Sequence, residues 1–324
     1  MYNKEELQDI IAKAFNNASF HFEPSSLYDP IEYMMDLGGK RLRPLLTLLS
    51  CDMFGGDIEN ALAPAIGLEL FHNFTLLHDD IMDLAPLRRG KETVYKKWNT
   101  NSAILSGDTL FVMAYEYVTK TNSSLLPQVL ELFNDTARKV CEGQQFDMDY
   151  ETRSDVTIDD YIRMIRLKTA VLIACSLKLG AIIARAPAAE ADMIYRFGEF
   201  LGLAFQLQDD YLDVFGEVKK FGKEIGNDIV TNKKTFLYLK AFELAGGESL
   251  EKMKKHFHEN AGEHFEKVNM ITGIYRELHI DAMTRQLIDD YFSKALSVLS
   301  GIKIEESRKK VLLELAGQMV DRET

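Results

Sequence analysis

Leu76-Leu77-His78-Asp79-Asp80-Ile81-Met82-Asp83 closes a long apolar run and is followed closely by Arg88-Arg89-Gly90. The same spacing of acids returns in Phe205-Gln206-Leu207-Gln208-Asp209-Asp210-Tyr211-Leu212-Asp213, again among residues with the character of a core. On a helix, positions three and four apart share a face, so Asp79 pairs with Asp83 and Asp209 with Asp213, with Gln206 one turn before Asp209. Carboxylates packed together in apolar surroundings repel and lose hydration. A hard cation resolves that conflict: Mg²⁺ prefers oxygen ligands and is commonly held by one or two carboxylates together with substrate phosphates. The two triplets therefore read as acidic walls that grip a phosphorylated ligand through metal. One triplet alone reads equally well as a solvated helix end; two in apolar helices, each followed by basic residues, argue against that.

Around these walls helix is expected nearly throughout, because Leu, Ala, Glu, Lys and Met are plentiful and only 7 prolines and 20 glycines interrupt 324 residues. The class is all-α, and the absence of any linker-like or low-complexity stretch makes 1–324 a single domain. A net charge of −12 argues against nucleic acid or an anionic membrane as partner, and places any anion site in a local basic cluster or at a metal. Cys51, Cys141 and Cys175 are odd in number and flanked by apolar residues, which suggests neither a disulfide framework nor zinc and fits a reducing cytoplasm. The start, Met-Tyr-Asn-Lys-Glu-Glu-Leu, carries no cleavable apolar segment, and no run approaches a membrane span.

Upstream, a second helix is expected to begin at Tyr28-Asp29-Pro30, with proline at its first position, and to stop at Gly38-Gly39. Lys40-Arg41-Leu42-Arg43-Pro44 follows, so that freed backbone N–H groups with Lys40 and Arg43 make either an anion cradle or a capped helix end with solvated cations. A long helix then runs from about Asp57 to Leu84. On it His72, seven residues before Asp79, is either within reach of a ligand held there or a satisfied core histidine. Arg88 and Arg89 are expected in a loop at the mouth of the first wall, where arginine suits phosphate. Gln144 and Asp147 share a face near the end of a helix over about 125–150, either supporting a site or solvated. A helix from Thr157 carries Arg163, Lys168 and Thr169 into an apolar stretch ending at Ile183. Its Thr169 is expected to bond back to a preceding carbonyl and bend it. After the second triplet, 217–231 reads as a polar, mobile lid carrying Gly222-Lys223, and Lys233-Lys234-Thr235 reopens a helix.

Gly38-Gly39-Lys40-Arg41-Leu42-Arg43-Pro44, both acidic triplets, Arg88-Arg89-Gly90, Lys168-Thr169-Ala170, Gly222-Lys223 and Lys233-Lys234-Thr235 occur in the order and spacing of the trans (E) isoprenyl diphosphate synthases. The chain resembles that polyprenyl synthetase family over nearly its whole length. The resemblance implies a single-domain antiparallel helical bundle around a central elongation cavity, a homodimer, and head-to-tail condensation of isopentenyl diphosphate with an allylic diphosphate. It implies Asp79, Asp83 and Asp209 as principal Mg²⁺ ligands, with Asp80, Asp210 and Asp213 supporting them. Arg88, Lys168, Lys223 and Lys233 would contact the allylic diphosphate, and Lys40, Arg43, His72 and Arg89 isopentenyl diphosphate. Gln206 and the carbonyls near Lys168 and Thr169 would face the allylic cation, and the released diphosphate would remove the proton. Phe74 and Thr75, the fifth and fourth residues before Asp79, would floor the elongation pocket, with Phe71 nearly a turn deeper. A farnesyl or geranylgeranyl product is expected, the latter favoured; a longer-chain synthase and a non-catalytic subunit of a heteromeric synthase are the alternatives. A class I terpene cyclase is disfavoured because its second motif mixes Asn, Ser or Thr with acids.

Overall fold

Caps, rather than propensity alone, set where the helices begin. Asn3 and Glu6 form a capping box at α1 (Lys4–Asn17), and Thr157 and Asp160 form another at α8 (Ile158–Ile165). The computed structural model describes residues 1–216, 226–258 and 264–321. Lys223, Gly222 and most of the expected lid lie outside the described residues.

The first helices are α1, α2 (Ser25–Asp36), α3 (Leu42–Met53), α4 (Glu59–Met82), α5 (Val94–Lys97), α6 (Thr100–Val118) and α7 (Leu126–Thr152). After α8 come a π-helical turn (Arg166–Ala170), α9 (Val171–Ile183) and α10 (Ala188–Phe215). The rest is α11 (Asn227–Val230), α12 (Phe236–Leu244), α13 (Gly247–His258), α14 (His264–Glu277), α15 (Ile280–Gly301) and α16 (Glu306–Val320). The expected all-α class holds; among the described residues the only ladder is β1 (Leu87–Arg88) with β2 (Lys91–Glu92).

Three expectations change. Helix α2 starts five residues earlier than Pro30 because Pro24 takes the N-cap position, and Pro30 sits inside the helix. The arginine loop is a hairpin in which Arg89 (φ 53°) and Gly90 (φ 76°) are both left-handed, as a two-residue turn matched to strand twist requires. The described end of the expected lid, from Gly226, is the short helix α11.

The chain packs as two compact units. One comprises Met1–Asp135, Cys175–Tyr195 and Ile302–Leu312; the other comprises Thr136–Ala174, Arg196–Gly301 and Leu313–Thr324. In the first, α4 and α6 pack against each other through an aromatic cluster of Phe71, Phe74, Phe111, Tyr115 and Phe133. In the second, α8 and the π-helical turn meet α10 through Tyr161–Asp210 and Thr169–Gln206, and α12 packs against α8, α14 and α15. No helix among the described residues is long and apolar enough to cross a membrane.

Candidate active site

In the first unit the acidic triplet occupies the end of α4. Leu84, left-handed at φ 52°, ends the helix, with Ala85 N–H donating to Asp80 O at 3.0 Å and Leu84 N–H to Ile81 O at 3.3 Å. This is the Schellman arrangement, with leucine in the place glycine usually takes. Three carboxylates thus stand at the negative end of a 24-residue helix, where the macrodipole favours cations instead. The three differ in surroundings. Asp80 is buried, and Arg88 Nε lies 2.8 and 2.9 Å from its two oxygens, with Arg88 Nη2 at 2.8 Å. Burial raises the Asp80 carboxyl against the pull of Arg88. Asp79 is half-buried and Asp83 exposed. The hairpin is tied back to the helix end by Thr93, whose hydroxyl donates to Ala85 O at 2.8 Å.

Beside this wall lies a group of arginines. Gly38 (φ 77°), Gly39 (φ 136°) and Arg41 (φ 45°) are all left-handed, and a Cβ on Gly39 would fall 2.8 Å from Arg89 Nη2. Glycine is therefore what lets Arg89 lie on this turn. Arg41 donates to Glu69 Oε1 at 3.2 Å and to Met35 O at 2.7 Å, and its guanidinium covers the Phe15 ring at 4.5 Å. Lys40 is exposed on the same turn. Burial, then the charges of Arg43, Arg89, Arg88 and Arg41, hold His72 well below its ordinary pKa. The structure thus brings Arg43, His72 and Arg89 together, as a neutral ring among guanidinium groups. Arg41 was not singled out in the sequence. Its signal was Glu69, an acid within the apolar run of α4 that needs a counter-ion.

A pH dependence follows. The unfolded imidazole takes up a proton below about pH 6.5, whereas folded His72 resists it. The unfolded state then binds more protons, so stability falls as pH drops from ~6.5. In anion-poor buffer, His72→Gln is expected to lose less melting temperature than wild type between pH 7 and 5. Equal losses would show that His72 titrates normally in the fold.

The second unit repeats the arrangement of acids at the end of α10. Asp210 is buried, accepting from Tyr161 Oη at 2.5 Å and from Gln206 Nε2 at 2.9 Å; burial and then Asp228 push its carboxyl up to about 7. Asp209 and Asp213 are half-buried. Asp213 Oδ2 accepts from Asp228 N–H at 2.9 Å, fixing the chain where it resumes after α10. In both triplets, then, the central acid is sequestered by protein donors and the flanking acids stand nearer solvent.

Lys168 Nζ donates to Asp147 Oδ2 at 2.6 Å. Burial would raise the Asp147 carboxyl, but Lys233 and Lys168 outweigh it and hold it below the ordinary carboxylate range. Asp147 is thus no solvated helix end. Thr169 Oγ1 donates to Gln206 Oε1 at 2.8 Å. The expected back-bond from Thr169 is not the source of the bend; the bend is the π-helical turn Arg166–Ala170, which carries both Lys168 and Thr169. A Cβ on Gly143 would lie 2.3 Å from Lys168 N, so α7 meets that turn backbone to backbone. Tyr161 was also missed, since the partner that reveals it lies 49 residues away.

The polyprenyl synthetase family profile matches residues 24–278, which includes every motif above. The chain belongs to this family. Two curated relatives are archaeal. The geranylgeranyl diphosphate synthase of Methanosarcina mazei is 39% identical over 222 residues, 68% of each chain. The short chain isoprenyl diphosphate synthase of Methanothermobacter thermautotrophicus is 42% identical over 231 residues, 71% of each chain. A crystal structure of a geranylgeranyl pyrophosphate synthase matches with a TM-score of 0.95 at 45% identity, covering 100% of both chains. The similarity to that structure thus runs the full length of both chains rather than stopping at the motifs.

Proposed function

We propose that the protein is a short-chain trans-prenyltransferase that joins isopentenyl diphosphate head-to-tail to an allylic diphosphate, with a C20 product favoured over C15. The observation that carries this reading is the presence of two chemically different anion receptors. One is acidic and needs a metal to hold phosphate; the other is a cluster of arginines around a neutral histidine and needs none. A condensation of two diphosphates, one of which ionises and one of which does not, calls for that pair.

The flanking acids Asp79, Asp83 and Asp209 are oxygen donors at helix ends that favour cations, which suits Mg²⁺. Asp79, Asp83 and Asp209 would hold the ion, which would supply charge neutralisation for the departing diphosphate. Arg88, Lys168, Lys233 and Lys223 add direct contacts to the allylic diphosphate, with Asp80 and Asp147 orienting Arg88 and Lys168. Gln206, held by Thr169 and Asp210, presents its amide oxygen as a fixed dipole for the allylic cation; fixed dipoles need no reorganisation when charge appears. Lys40, Arg43, His72 and Arg89 take isopentenyl diphosphate, whose alkene attacks; the released diphosphate takes the proton. No protein nucleophile is required. Both triplets are intact, which favours an active synthase over a regulatory subunit.

Leu105 and Val112, each 59% exposed, line one side of α6 with Ile104; that apolar stripe supports a homodimer. Cys51 and Cys141, which form no disulfide, support a reducing, cytoplasmic setting.

Chromatography of the products formed from isopentenyl diphosphate with dimethylallyl, geranyl or farnesyl diphosphate tests the whole reading; no chain growth from any primer would overturn it. Arg43→Ala is expected to raise KM for isopentenyl diphosphate about 10- to 100-fold, the effect of losing a charge-assisted hydrogen bond worth ~1.5–3 kcal/mol. The allylic KM should change by less than about twofold; a defect confined to the allylic substrate would contradict the assignment.

A further inference from the structure

The lysine pair at 233–234 divides into two jobs. The charge of Lys233 is felt at Asp147 and Asp210, whose carboxyl pKa values it lowers. Lys234 points elsewhere. Its Nζ donates to Tyr150 O at 2.5 Å, to Glu151 O at 3.1 Å, and to Arg153 O. These are the terminal carbonyls of α7 and the residue just past it, oxygens a regular helix leaves without partners and at which a cation is favoured. Asp147 lies on α7 one turn before Tyr150, so Lys234 grips the helix directly beyond the carboxylate that its neighbour addresses.

A second lysine, from a different helix, ties the same segment. Lys267, on α14, is 4% exposed, donates to Val230 O at 3.3 Å and to Asn232 Oδ1, and lies 5.2 Å from the centre of the Phe257 ring. Asn232 is left-handed at φ 60°, and Lys233 N–H donates to Asp228 O at 2.9 Å. At its start the segment is fixed by Asp213, which accepts from Gly226 N–H at 2.6 Å and from Asp228 N–H at 2.9 Å. A short stretch between α10 and α12 is thus anchored at both ends and in the middle, with Lys233 close enough for its charge to be felt at Asp147 and Asp210.

We infer that Lys234 is a positioning residue: it clamps the 226–235 segment to the end of α7 and so sets Lys233 against Asp147 for the allylic diphosphate. Lys267, through Val230 and Asn232, is the second half of the clamp. The inference rests on the reading that Lys233 binds the allylic diphosphate, and the test separates the two. Full-length Lys234→Met keeps the aliphatic stem and removes the ammonium. Its expected phenotype is an allylic KM raised about tenfold, an isopentenyl KM within about twofold of wild type, and unchanged helical circular dichroism. Amide hydrogen exchange at 227–233 is expected to speed up, and Lys234→Arg is expected to restore most of the KM. Lys267→Gln, which loosens the same segment without touching α7, is expected to give the same split and covers the case in which Lys234→Met does not fold. Lys233→Ala is the reference. If it raises the allylic KM while Lys234→Met and Lys267→Gln leave KM and exchange at wild-type values, the clamp is overturned. If Lys233→Ala leaves the allylic KM unchanged, the Lys233 assignment fails, and slow, wild-type exchange in Lys234→Met would then refute the clamp separately.

Discussion

Asp79→Ala or Asp209→Ala is expected to lower turnover about a thousandfold or more, equivalent to ~4 kcal/mol of transition-state stabilisation, without loss of the helical fold. Each is a flanking member of its triplet, half-buried at the negative end of a long helix. Removing either charge takes away a proposed metal ligand and relieves an unfavourable interaction with the helix dipole, so the unfolding temperature should hold or rise. Excess chelator should likewise abolish wild-type activity. The control is Asp80→Ala, which strands Arg88 in a site where its partner is 3% exposed; breaking such a buried pair costs about 3–5 kcal/mol, discounted here because Arg88 keeps 21% exposure. Flanking mutants that are inactive yet stable, set against a central mutant that melts early, would bear out the division of labour. Wild-type turnover in Asp79→Ala, or full activity in chelator, would remove the metal from the proposed mechanism.

The second large effect concerns chain length. Phe74→Ala is expected to lengthen the main product by at least one isoprene unit, read by chromatography of the dephosphorylated alcohols. An ideal wheel turns Phe74 away from the Asp79 face, and the structure agrees to this extent: its ring is stacked on Phe111 of α6 at 5.0 Å and 15°, with Phe71 at 5.6 Å and His78 at 4.8 Å. Thr75, half-buried, donates its hydroxyl to His72 O at 2.8 Å. Phe74 is therefore held between its own helix and α6, and its removal is expected to open a gap there. Because Phe74 is only partly buried, the stability cost should fall below the ~3–5 kcal/mol of a fully buried phenylalanine. An unchanged product distribution would make Phe74 a packing residue and place the floor elsewhere.

The helical class, most helix limits and the two acidic walls were legible because they depend on local signals: periodicity, caps such as Thr157 with Asp160, and acids spaced by one turn. What was not legible depended on partners distant in the chain. A helical wheel puts Asp79 with Asp83, but only the fold shows that Asp80 and Asp210 are withdrawn onto Arg88 and Tyr161. Asp147 reads locally as a polar helix end and becomes a half-buried ion-pair partner only when Lys168 arrives from 21 residues on. The hairpin at Arg89-Gly90 was missed for another reason: non-glycine residues seldom adopt positive φ, so Arg89 gave no turn signal of its own.

The π-helical turn at Arg166–Ala170 bears on which sequence changes this chain can tolerate. Such a turn takes up about one residue more than an α turn, and one residue is ~100° of rotation. In register terms it is a one-residue insertion absorbed without a loop. Deleting any single residue from 166 to 170 would let α8 and α9 fuse into one regular helix and rotate everything after it. Lys178, the one charged side chain of α9, now donates to Asp192 Oδ1 at 2.6 Å. After the deletion it would point into the neighbouring apolar packing, so a shortened chain would fail in folding before any question of catalysis arose.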